Sequence, residues 1–268
     1  MELKIISKEN VETGKQKLPI QFQEEIRPDL IKRAVEVLRA NSRQPYGADP
    51  MAGKKAATNL TRRRRKYNST YGHGISRVPR KILSRNGANM NWVGAMAPGT
   101  VGGRIAHPAK AEKIWTKKIN DKERKKAIRS AISATVIKEL VEKRNHVVPN
   151  NYPFIVDAEI ELLQKTKDVV KVLNKLGLEK ELERSTERKV RAGKGKSRGR
   201  KYKTKKGPLI VVSGDCPLIK SARNILGLDV VKINQLNSEL LAPGATPGRL
   251  TLFTNKAIEL IEKGGLYL

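Results

Sequence analysis

Residues 43–110 interrupt a chain that otherwise reads as foldable. Across this stretch of roughly seventy residues the apolar side chains follow neither a strand nor a helix period. Nine glycines fall between Gly47 and Gly103, and 14 lysines and arginines stand against one acid, Asp49. Compact domains rarely hold a structureless loop longer than about 15 residues, so something other than the chain's own core must order this one, or nothing does. The stretch is nevertheless internal. Before it, Pro28 and Asp29 give a helix-start signal, and Ile31, Ala34, Val35 and Leu38 recur on one helical face. After it, residues 121–144 read as a second helix: Asp121 is an N-cap candidate and Glu123 sits in the first turn. Ile128, Ile132, Val136 and Leu140 form a row with Ile137 and Val141 beside it. The expected organisation is therefore one globular domain made of residues 1–42 and 111–268, with 43–110 as an extended insertion.

Charge indicates what an outside partner would be. The 268 residues carry 56 Lys and Arg against 26 Asp and Glu, a net charge of +30. Residues 43–110 carry 13 of those net charges. Residues 184–206 carry 11 more, with 12 basic residues against Glu187 alone. The remainder, 30 basic and 24 acidic, resembles an ordinary globular surface. Excess charge confined to two segments points to a polyanion, and nucleic acid is the obvious one. An anionic membrane is the rival, but no run approaches the roughly eighteen apolar residues of a spanning helix, and no apolar signal core follows Met1. A soluble, cytoplasmic protein is expected, with no membrane partner. Cys216 is the single cysteine, and His73, His107 and His146 are not at metal-ligand spacing, so neither a disulfide, a structural metal nor a cofactor is expected.

Beyond Pro149, apolar runs alternate with helical ones, the pattern of βα units in a parallel sheet. Strands are expected at 154–157, 209–213, 230–233 and 250–254. Helices are expected around Val169, Val170, Leu173 and Leu176, closed by Gly177, after Pro217, and at the end with Ala257, Ile258 and Ile261. The continuous run from Leu209 to Val212 suggests a strand buried on both faces. Residues 3–7 and 18–22 read as a β-hairpin. The fold class is α/β, an open and mostly parallel sheet flanked by helices, with a long extended basic internal loop.

Within that loop, Arg62, Arg63, Arg64, Arg65 and Lys66 are consecutive, and Tyr67, Tyr71 and Trp92 are interleaved with Gly72, Gly74, Arg77, Arg80, Lys81 and Arg85. Arginine forks bind phosphates bidentately, glycine admits close backbone approach, and aromatic faces stack on unpaired bases. A bare five-residue basic run is most often a solvated patch. Its internal position, with four of the chain's eleven aromatics in the same loop, favours RNA. Residues 189–206 repeat the basic and glycine composition. Gly195-Lys196-Ser197 matches the end of a phosphate-binding P-loop, but the earlier glycine would fall at Val190 and the segment precedes a strand instead of following one. Asp215-Cys216 after a strand lacks a histidine partner in that half of the chain, and reads as a turn before Pro217. No catalytic residue and no small-molecule substrate are expected.

Several motifs taken together are specific. The run from Gly103 through Arg104, His107 and Lys110, then 120–135, resembles the ribosomal large-subunit protein L-four family in its archaeal and eukaryotic form. Residues 27–31, Tyr46-Gly47, 189–202 and 241–251 are similar to the same family in the same order. A long basic C-terminal extension, usual in eukaryotic members, is lacking, which favours the archaeal type. The resemblance implies a structural constituent of the large ribosomal subunit that binds 23S-type rRNA, supports subunit assembly and helps line the nascent-peptide exit tunnel. It implies the L-twenty-two family protein as a neighbour there. On this reading the rRNA-binding residues are Arg43, Lys54, Lys55, Arg62 to Arg65, Lys66, Tyr67, Arg77, Arg80, Lys81, Arg85, Arg104, His107 and Lys110. In the second segment they are Lys189, Arg191, Lys194, Lys196, Arg198, Arg200, Lys201 and Lys203. The tunnel-facing tip is expected at Tyr71, Gly72, His73, Gly74, Arg77 and Trp92, although 71–92 diverges from the family pattern. The alternatives are a nucleotide-using α/β enzyme with a basic insertion, which would need a glycine fingerprint, a charged partner or converging carboxylates after a strand, and a free RNA chaperone or chromatin-type binder.

Overall fold

Leu209, Ile210, Val211 and Val212 are all buried because they lie in a sheet covered on both sides, with alternate side chains entering two different cores. The computed structural model describes residues 1–268 in two compact units, Met1–Ser42 with Thr116–Leu268, and Arg43–Trp115.

The first unit is built on a six-stranded sheet. Its strands are β1 (Glu2–Ile6), β2 (Glu12–Lys17), β5 (Ile155–Val156), β8 (Leu209–Val212), β9 (Asp229–Lys232) and β10 (Thr251–Thr254), in the order β2-β1-β5-β10-β8-β9. Every pairing is parallel except that of β1 with the edge strand β2. Helices α1 (Pro28–Asn41), α2 (Asp121–Val136) and α8 (Asn255–Lys263) share a core with Ile155, Leu209, Val211 and Phe253. On the opposite face, α4 (Thr166–Lys175) and α6 (Pro217–Ala222) pack with Val156, Ile210, Val212 and Leu252. Full burial of a side chain of this kind contributes about 1.5–3 kcal/mol, so the two cores dominate the unit's stability. No residue between 43 and 115 belongs to either core.

Two expectations need correction. The N-terminal hairpin exists, but its second strand is the polar run Glu12–Lys17, not residues 18–22. An edge strand needs only one hydrogen-bonded neighbour and gains from exposed lysines, so it carries no apolar alternation. Leu18 and Phe22 do enter the core, from a turn beyond the strand that opens at Pro19. The second helix is also not continuous to Arg144. It breaks at Ile137, whose backbone is extended (ψ 107°), and restarts as α3 (Lys138–Lys143). Three β-branched residues in a row, Thr135, Val136 and Ile137, weaken the helix there, and the Thr135 carbonyl accepts from the buried Tyr152 hydroxyl. The break carries the chain from one core to the other: Val136 packs with α1 and α8, whereas Val141 packs on the opposite side of the sheet.

The second unit has almost no core. Its buried residues are small: Ser69, Thr70 and Ala95. Where no regular structure was expected, a hairpin of β3 (Arg80–Asn86) and β4 (Asn89–Gly94) forms, with Ile82 opposite Trp92. Gly87 at φ +58° supplies the left-handed backbone that a two-residue hairpin turn needs. Outgoing and returning legs run side by side, joined from the Ala48 N–H to the Ala109 carbonyl (2.9 Å) and from the Asn59 N–H to the Arg80 carbonyl (3.0 Å). At Gly53 (φ +75°) they touch: a Cβ there would lie 2.5 Å from the backbone of Gly103 and Arg104.

Candidate RNA interface

Absence of a core leaves the basic side chains of residues 43–115 on the surface. Arg62 to Lys66 are all exposed, on a small loop that a bridge between Thr61 and Ser69 closes and that turns at Arg65 (φ +60°). Arg43, Lys54, Lys55, Arg77, Arg85, His107 and Lys110 are exposed as well, and Arg80, Lys81 and Arg104 are partly so. Only Lys55 has an acidic partner, Asp49 at 2.8 Å. Arginines instead lie against the aromatics: Arg85 is 4.7 Å from the Tyr67 ring centre, Arg77 and Arg64 are 4.6 Å and 5.9 Å from Tyr71, and Arg80 is 5.8 Å from Trp92. Such exposed cation–π contacts contribute about 0.5–1 kcal/mol each, little enough for a stacked base or a phosphate to replace them. Of the expected tip residues, Tyr71 and Arg77 come together beside the turn of Gly72, His73 and Gly74, while Trp92 stands in the hairpin.

The second basic segment is also a hairpin, β6 (Arg188–Val190) with β7 (Tyr202–Thr204). Arg191 braces it through its backbone N–H to the Lys201 carbonyl (2.8 Å) and its Nε–H to the Arg200 carbonyl (3.0 Å). Lys189, Lys194, Lys196, Arg198, Arg200, Lys201 and Lys203 are exposed and Arg191 is half-buried, and no carboxylate pairs with any of them. Gly195-Lys196-Ser197 enters a single helical turn near the hairpin's end, not a strand-to-helix junction, so the P-loop reading lacks its structural context.

What holds this hairpin was not legible in the charge count. At its root, the fully buried Arg249 donates to the carbonyls of Gly207 (2.9 Å), Pro208 (3.3 Å) and Leu240 (3.0 Å) and to the Asp229 carboxylate (2.6 Å). Leu240 belongs to α7 (Ser238–Leu241), capped by Asn237. Burial raises the Asp229 pKa, but the charges of Arg249 and Lys206 outweigh that and hold it below the usual carboxylate range. Beside it, Glu181 on α5 (Glu179–Thr186) is buried and accepts from His146 Nδ1 (2.6 Å), the Val147 N–H (2.9 Å) and Arg184 (2.6 Å and 2.7 Å). Arg184 also donates to the Lys206 carbonyl (2.7 Å). Burial pushes the His146 imidazole below its ordinary range, and burial with the neighbouring Arg249 and Arg184 brings Arg144 down to about 10. Trp115, Arg184 and Arg249 were absent from the sequence-based set. Arg249 carried a weak signal, a lone arginine after Pro247-Gly248 just before an apolar strand.

At the carboxyl edge of the sheet, where α/β enzymes bind ligands, a single buried carboxylate spans two strand ends. Glu161 accepts from the Ser213 N–H (2.9 Å), the Ser213 hydroxyl (2.7 Å) and the Thr254 hydroxyl (2.7 Å). It thereby ties the ends of β8 and β10 together. Burial, and then the charges of Glu161 and Asp215, raise the Cys216 thiol pKa, so Cys216 is a poor nucleophile.

A family model described as "Ribosomal protein L4/L1 family" matches residues 16–264. The chain belongs to that family. It is 49% identical over the whole length of both chains to the large ribosomal subunit protein uL4 of Nanoarchaeum equitans. It is 44% identical to that of Archaeoglobus fulgidus, over 97% of this chain and 98% of the relative. With that of Methanosphaera stadtmanae it shares 46% identity, over 90% and 89%. All three relatives are archaeal, in keeping with the archaeal type of the L4/L1 pattern. The family is one of ribosomal proteins and not of enzymes. No helix is long and apolar enough to cross a membrane.

Proposed function

We propose that this L4/L1 family protein is a structural constituent of the large ribosomal subunit, in the cytoplasm, and that it binds large-subunit rRNA through residues 43–110 and 189–203. The observation that carries the reading is the set of exposed, unpaired arginines and lysines on two hairpin-bearing elements, in a chain whose other surface charges nearly balance. Charge neutralisation and shape do the work, with no reaction. Residues 1–42 and 111–268 act as the α/β domain, and 43–110 as the element that penetrates RNA. Its tip, Tyr71 to Gly74 with Arg77 and Trp92, lines part of the nascent-peptide exit tunnel, where the L-twenty-two family protein is the neighbour. The reading of a free RNA chaperone shares the charge but not the full-length similarity to ribosomal proteins. Co-sedimentation of the native protein with large subunits in high salt tests the assignment. Persistence in the subunit supports it, and quantitative release into the free fraction contradicts it. Crosslinking of a stalled nascent chain to Tyr71 or Trp92 tests the tunnel placement separately.

A further inference from the structure

We propose that the cleft bounded by Tyr46, Trp115 and residues 107–110 takes up one unpaired RNA nucleotide. This deepens the RNA-binding reading above and rests on it. The cleft, about 620 Å³, has the size of a small-ligand site, and all of its lining residues lie within the 43–115 unit. Its aromatic wall is prebuilt: the Tyr46 and Trp115 rings stack at 5.8 Å with an angle of 20° between their planes. Arg43 stiffens that wall, with its guanidinium carbon 3.6 Å from the Trp115 ring centre and 5.5 Å from that of Tyr46.

The rest of the lining sets Lys110, Lys113 and His107 against one acid, Glu112, beside the apolar Pro108 and Ala109. Lys113 Nζ lies 4.4 Å from the Trp115 ring centre, and His107 and Lys110 complete the rim. The indole N–H of Trp115 is buried without any acceptor in the protein, a state folded chains seldom leave unrelieved. A base that displaces the side chains covering this N–H would accept from it through a carbonyl or ring nitrogen, while Lys110 and Lys113 would meet the nucleotide's phosphate. A duplex offers phosphates but keeps its base faces stacked internally, so only an unpaired nucleotide uses both the aromatic wall and the cations. With Arg43, Lys110 and Lys113 against Glu112, the balance of charge favours an anionic occupant over a basic peptide.

Trp92 and Trp115 are the only tryptophans, so the full-length Trp92→Phe protein reports on the cleft through Trp115 fluorescence. Short oligoadenylate should quench Trp115, whereas an abasic ribose-phosphate oligomer of the same length should bind by charge without quenching. Tyr46→Leu should weaken oligoadenylate binding about tenfold and Tyr46→Phe should not, the loss of one base–aromatic stack. Equal quenching by the abasic oligomer, no quenching by bound oligoadenylate, or quenching by an acidic peptide but not by RNA would each overturn the nucleotide site and leave general RNA binding standing. Failure of both oligomers to bind would instead overturn the RNA-binding reading itself.

Discussion

Arg249 meets Asp229 at 2.6 Å with a side chain only 1% exposed, and the three other acceptors of its guanidinium are backbone carbonyls at the entry to β8 and in α7. A fully charged side chain in the interior is thus used as a fastener, at the point where the second basic hairpin joins the sheet. Replacing it with a hydrophobe leaves the Gly207 and Leu240 carbonyls without their donor and takes the closest cation from Asp229, which keeps only Lys206 at 3.2 Å. Arg249→Met should destabilise the α/β unit by about 3 kcal/mol, the scale for breaking a buried ion pair by removing one partner. Urea titration measures this, and a loss below about 1 kcal/mol would show that the fastener contributes little.

The same root gives a pH dependence. Burial depresses the His146 pKa in the folded state, so between its unfolded value near 6.5 and its lower folded value the unfolded chain binds the extra proton. Stability should therefore fall as pH drops through 6.5. Glu181 adds a second loss below about 4.5: desolvation opposes its ionisation, but Arg184, His146 and the Val147 N–H together hold its pKa down. His146→Asn, which keeps a donor near Nδ1 without the titration, should flatten the dependence between pH 7.5 and 5.5. An unchanged dependence in that variant would place the titrating group elsewhere.

The 43–115 unit should fail locally. Gly53→Ala puts a Cβ against the backbone of Arg104 at a positive φ, so the two legs must separate there. Faster trypsin cleavage within Arg62 to Arg85 is the expected sign, with the urea midpoint of the α/β unit unchanged because neither core draws a residue from 43–115. By the same reasoning, deletion of Tyr71 to Trp92 should leave that midpoint in place. A lowered midpoint in either protein would contradict the separation of roles.

How much of this was readable beforehand depended on whether a residue's environment is local. Leu209 to Val212 announced a doubly covered strand because their burial is continuous along the sequence. Polar β2 could not be read the same way, since its strand character comes from hydrogen bonding to β1 and not from its own side chains. The exposed arginines of the interface were legible as composition. The β3-β4 hairpin turns at Gly87-Ala88 and carries only one glycine as a signal, among nine between Gly47 and Gly103. Arg249 and Trp115 were not legible, because their roles rest on Gly207, Asp229, Tyr46 and Arg43, partners 20 or more residues away.

The central claim is that exposed arginines in the 43–115 unit neutralise RNA phosphates, and the salt dependence of binding to a large-subunit rRNA fragment tests it most directly. Each phosphate contact contributes about −0.7 to −0.9 to the slope of log K against log salt. Replacing Arg62, Arg63, Arg64 and Arg65 with alanine should make the slope shallower by about 3 if all four reach phosphates. An unchanged slope would mean that this run is ordinary solvated charge and that the interface lies elsewhere.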